Sequence, residues 1–95
     1  MKLSKETAVS HAKEDLASRL GLDVAKIELV SLNDQEFRDM SLGAAASGEM
    51  SAQMISYGWR ILLDANGAEY EYRGDKFQLR LVDFKGSNHL VFPQQ

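Results

Sequence analysis

The chain has 95 residues, 44% of them hydrophobic, with eleven Lys and Arg against fourteen Asp and Glu, a formal charge of −3, and no cysteine. That length holds one domain with a packed core and is too short for two. Without Cys, disulfides, thiol nucleophiles and thiolate metal sites are excluded, and the mild acidity argues against general binding of nucleic acid or of an anionic membrane, both of which rely on Lys and Arg.

The start, Met1-Lys2-Leu3-Ser4-Lys5-Glu6, has no apolar run after its lysines, so it does not read as a signal peptide, and no stretch approaches membrane-spanning length. A cytoplasmic location is expected for the chain as given.

A helix is predicted over 5–20. Ser4 suits its N-cap, Leu3 and Ala8 its staple, and Val9, Ala12, Leu16 and Leu20 recur at spacings of three and four. Gly21 supplies the left-handed residue that ends it, with Leu22 folding back. Asp23 caps a short turn. Ile27–Leu32 alternates with apolar groups on both faces, Ile27 and Leu29 on one and Val30 and Leu32 on the other, and so predicts a central or helix-covered strand. Residues 38–49 are small, glycine-containing and aperiodic: a loop of about a dozen residues, long enough to suggest function or mobility.

Residues 50–64 are predicted extended, with a bulge or sharp bend at Gly58 or a short hairpin at Ser56-Tyr57-Gly58. Asn66-Gly67 is the strongest local signal, a type I′ hairpin turn between strands near 59–64 and 69–73. A further strand is expected where Phe77, Leu79 and Leu81 alternate with Lys76, Gln78 and Arg80. The tail 85–95 either frays or pairs Leu90-Val91-Phe92 with a sheet edge, in this molecule or another. The order α, β, long loop, β, β, β, β predicts a single α+β domain over 1–95, a helix packed on a curved antiparallel sheet of four to five strands.

Three segments resemble a set of small uncharacterised bacterial domains: Ala12-Lys13-Glu14-Asp15-Leu16-Ala17-Ser18-Arg19-Leu20-Gly21 with the strand after it, Asp39-Met40-Ser41-Leu42-Gly43, and Gly58-Trp59-Arg60-Ile61 through Gly67-Ala68-Glu69-Tyr70-Glu71-Tyr72. In that pattern a Trp-Pro precedes the Asp, a Cys follows Ser-Leu-Gly, and a His follows the last Tyr. This chain has Phe37, Arg38, Ala44 and Arg73 there, so any disulfide or polar site the Cys and His supply elsewhere is missing. The helix-on-sheet plan is also similar to cystatin-like and PepSY-like domains, which implies protease binding or inhibition by fold analogy alone.

No catalytic or metal-binding set is evident, and no cofactor is expected. His11 and Asp15 lie one helical turn apart with no third ligand nearby, and no serine sits in a Gly-x-Ser-x-Gly elbow. Gly43 and Gly48 lack the Gly-Lys-Ser/Thr ending of a phosphate loop. Lys76, Arg80 and Lys85, with Arg60 and Arg73 and the aromatics Tyr57, Trp59, Tyr70 and Tyr72 on the same strands, would give a basic face for single-stranded nucleic acid, outweighed by Asp64, Glu69, Glu71 and Asp83.

The expectation is a non-enzymatic binding or regulatory module for a protein or peptide, with Ser41, Leu42, Gly43, Met50, Tyr57 and Trp59 as contact residues, or a sheet edge that takes an added strand. The alternative is a structural domain that forms a homodimer through sheet edges or the tail.

Overall fold

In a computed structural model, which describes residues 2–93, Ser4 begins the helix as the sequence predicts. Its hydroxyl accepts from the Thr7 amide at 3.2 Å, and the Thr7 hydroxyl accepts from the Ser4 amide at 2.7 Å, a reciprocal cap. Helix α1 spans Lys5–Leu20 and ends at Gly21, whose φ of 67° lets the Leu22 amide reach back to the Ala17 carbonyl at 2.9 Å. A short 3₁₀ turn at Val24–Lys26 follows, capped by the Asp23 carboxylate.

Five strands come next: β1 Ile27–Phe37, β2 Ser56–Ala65, β3 Ala68–Gly74, β4 Leu79–Phe84 and β5 Ser87–Phe92. They form one antiparallel meander in chain order, the α+β arrangement expected, with α1 packed on one face.

The core lies between α1 and that face. Ala8, Ala12, Leu16 and Ala17 meet Ile61, Leu63 and Ala65 of β2, Tyr72 of β3, and Leu79 and Leu81 of β4. Alanines let the helix backbone approach the sheet closely, and Leu16 and Tyr72 fill the remaining depth. Tyr72 stays satisfied when buried because its hydroxyl donates to Asp15 Oδ2 at 2.7 Å.

Of the two alternatives expected for β1, helix-covered holds and central does not: it runs to Phe37, longer than predicted, at the edge of the sheet, with Ile27 in the core against α1. The apolar residues of both parities have a different cause. The register slips between Leu29 and Ser31, leaving Val30 as an extra residue. Leu29 then pairs with Leu63 and Leu32 with Ile61, so Ile27, Leu29 and Leu32 all face the helix side. Gly58 carries neither bulge nor hairpin: Ser56, Tyr57 and Gly58 pair regularly with β1 in one continuous strand, and Phe77, expected in a strand, is exposed in the β3–β4 turn.

The Asn66-Gly67 hairpin forms as expected, with φ of 53° and 85°. A second turn of the same kind, Lys85-Gly86, also has φ of 53° and 85° and carries the chain from β4 into β5. The tail segment through Phe92 therefore pairs with β4 of its own chain; Gln94 and Gln95 lie outside the described residues.

Candidate functional site

Adjacent strand residues point to opposite faces. On the face away from α1 the register sets Arg60 opposite Arg73, and Arg73 opposite Arg80, a ladder of three arginines across β2, β3 and β4. Like charges directly opposite one another destabilise a sheet unless they are neutralised.

Two carboxylates and the long loop do this. Glu71 accepts from Arg60 Nε at 3.0 Å and from Arg73 Nε at 2.7 Å. Burial pushes the Glu71 carboxyl upward, but the two guanidiniums outweigh it and hold the group below its ordinary value. The same bonds raise Arg60. Arg80, only 4% exposed, makes a two-pronged pair with Glu49 from the loop, at 2.5 and 2.6 Å, and donates to the Ala44 carbonyl at 3.3 Å. That pairing, with the Ala46 amide, holds the Glu49 carboxyl at about 2.

The loop's other end is tied by Asp39. One carboxylate oxygen, Oδ1, accepts from the Ser41 amide at 2.9 Å, the Ser41 hydroxyl at 2.8 Å and the Gly43 amide at 2.9 Å. Those bonds, the Gly43 amide foremost, hold Asp39 below the usual carboxylate range. The Ser41 hydroxyl also accepts from Ser51 at 2.8 Å, which draws the outgoing strand of the loop against the incoming one. Leu42, in the left-handed region at φ 59°, offers its carbonyl to Arg73 Nη1 at 2.9 Å while its side chain is fully buried. Glycine suits position 43, where φ is 68° and an added Cβ, 2.8 Å from Arg73 Nη1, would push on the guanidinium bonded to the Leu42 carbonyl.

The six sequence-predicted contact residues therefore divide. Ser41 and Leu42 lie inside the loop and have no surface to offer a partner; with Gly43 they anchor the loop to the arginine ladder. Trp59 is half-buried and packs against the α1 side of the sheet, opposite the face that holds the loop. Met50 and Tyr57 are exposed, 96% and 75%. Between them Met54 and Ile55 are 61% and 58% exposed, and Met40, whose amide donates to the Ala52 carbonyl, adds a third methionine beside this segment.

Sequence reading missed the roles of Asp39 and Glu49. The ladder itself was within reach: Arg60 and Arg73 are equidistant from the Asn66-Gly67 turn, so the hairpin pairs them.

Among the described residues no group of three or more His, Asp or Glu is placed to hold a metal ion. Asp15, one half of the pair considered with His11, is taken up by Tyr72 and by Arg19 Nε at 2.7 Å, and His11 stacks against Phe92 with ring centroids 5.6 Å apart.

A single helix against a five-stranded antiparallel meander, with a loop clamped on the far face, defines a small α+β domain. Residues 9–81 match the model of a domain of unknown function, DUF8738, and the chain belongs to that family. No curated protein and no solved structure matches the chain.

Proposed function

We propose that this chain is a non-enzymatic module that binds a protein or peptide partner through the segment Met50–Tyr57. The observation that carries this reading is a segment exposing Met50, Met54, Ile55 and Tyr57 that runs from the Glu49–Arg80 clamp into the first residues of strand β2. Exposed apolar side chains cost solubility and are kept where a partner covers them. Flexible methionines adapt to varied apolar surfaces, and tyrosine adds contact area with a polar tip.

The test is crosslinking and affinity capture that compares wild type with Met54→Asp plus Tyr57→Ser, both on exposed positions and therefore compatible with folding. The expected result is loss of specific partners in the variant. Identical partners from a variant with a native spectrum would sink the reading. A narrower version, an inhibitor of the cystatin or PepSY type, rests on the helix-on-sheet plan alone. It predicts saturable inhibition of a papain-class protease, and none at high molar excess removes it.

A further inference from the structure

We propose that the free edge of β5 takes an extended peptide segment bearing a lysine or arginine, which adds to the sheet as a sixth strand. This site is separate from Met50–Tyr57 and stands or falls without it.

The two sheet edges are built differently. β1 carries Glu28, Asp34 and Glu36 and an ion pair from Asp34 to Lys5 on α1 at 2.8 Å, charges that discourage a visiting strand; both edges are bulged, β1 at Val30 and β5 at Val91, so charge is what tells them apart. β5, Ser87-Asn88-His89-Leu90-Val91-Phe92, ends the sheet on the other side and carries no Lys, Arg, Asp or Glu. Its outward amides and carbonyls face no strand of this sheet, and it has none of the charged protection given to β1.

The ground beside β5 is also hollow. One recess of about 520 Å³ lies between α1 and the end of β5, lined by His11, Glu14, Asp15 and Ser18 of the helix and by Val91 and Phe92 of the strand. A second, of about 450 Å³, runs on past Leu90 between Arg19 and the loop at Gly48. An added strand would thus lie in a trough, with side chains alternating between the helix side and the loop side. Main-chain bonds to β5 would supply affinity, and the recesses would supply selection.

The chemistry of the helix-side recess selects a cation. Of its two acids, Asp15 is already bound by Arg19 and Tyr72. Glu14 is exposed, and among the described residues no basic group pairs with it. The rings of His11 and Phe92, tilted against each other at 5.6 Å in the lining of the recess, would give contact for the stem of a Lys or Arg whose head reaches Glu14. A second copy of this chain fits less well: two-fold β5–β5 pairing brings the two α1 helices side by side, with the unpaired Glu14 carboxylates at their meeting edges.

The test titrates the ¹⁵N-labelled full chain with two blocked octapeptides of alternating Val and Thr, one with a central Lys and one with a central Glu. The expected result is saturable shifts of amides 88–93 and 11–18, with the Lys peptide bound about tenfold more tightly. Glu14→Lys, a surface change on a capped helix, should reverse that order. No shifts at millimolar peptide, equal affinity for both peptides, shifts confined to Met50–Tyr57, or a free chain already paired through β5 by light scattering would each overturn the proposal.

Discussion

Glu49→Gln tests the loop clamp directly. Arg80 is almost fully buried, and Glu49 is its only anionic partner among the described residues. The native carboxyl is held at about 2 against an ordinary 4.5, so folding favours the carboxylate form. At about 1.4 kcal/mol per pH unit the preference is roughly 3 kcal/mol. The Glu49 side chain keeps 29% of its exposure, so solvent screens part of this, and about 2 kcal/mol is the expectation.

Gln retains one acceptor, which places the substitution below the ~3–5 kcal/mol of removing a partner from a fully buried pair. For a domain of this size a loss of about 2 kcal/mol lowers Tm by roughly 8–15 °C. The native pKa is depressed, so the stabilisation is complete above about pH 4.5 and is lost as pH falls toward about 2. Urea unfolding followed by Trp59 fluorescence at pH 7, 4 and 3 should therefore show wild type and variant converging as the pH drops. A variant within about 0.5 kcal/mol of wild type at pH 7, or a gap that does not shrink by pH 3, refutes the clamp.

Other perturbations follow from the same contacts. Tyr72→Phe removes the hydroxyl bonded to Asp15 and should cost about 1.5–3 kcal/mol by chemical denaturation. Burial first, and the Asp15 bond second, raise the Tyr72 hydroxyl above its ordinary 10, so wild-type stability should fall as pH rises past about 10 and the variant should lose less over the same range. Gly58→Ala places a Cβ 2.1 Å from the Gly74 carbonyl oxygen; the backbone must shift, and a loss of about 2 kcal/mol or more is expected, read as Tm. Asp39→Ala leaves the Ser41 and Gly43 amides without their acceptor, and should cost about 1–3 kcal/mol and speed amide exchange through 40–51 ahead of the core.

The architecture was legible where local chemistry decides it. Ser4 and Gly21 bound the helix, Asn66-Gly67 sets the β2–β3 register, and alternation marks β3. Tertiary context decides the rest. Val30 is left as a bulge because the register puts Leu29 opposite Leu63 and Leu32 opposite Ile61, and no local signal marks that slip. Lys85 adopts positive φ although lysine has no intrinsic preference for it, so the β4–β5 turn was not readable and the tail stayed open between pairing and fraying.

The candidate surface was legible in location but not in role. Ser41-Leu42-Gly43 stood out by its pattern, yet its residues face inward, because two arginines separated from it by about thirty residues or more draw the loop onto the sheet. Phe37, Ala44 and Arg73, three positions where this chain departs from the pattern it resembles, also gather there. Arg73 lies over the Phe37 ring at 5.8 Å, and Ala44 is buried beside Arg80.

The clamp also bears on how such a domain can diverge. Glu49 lies in a loop, where substitution is ordinarily tolerated, and Arg80 lies on a buried strand, where it is not. Their bond ties the two rates together. A lineage that loses the acid strands a buried cation, and one that loses the arginine frees the loop, so the two positions should be inherited as a single character and change only as a pair.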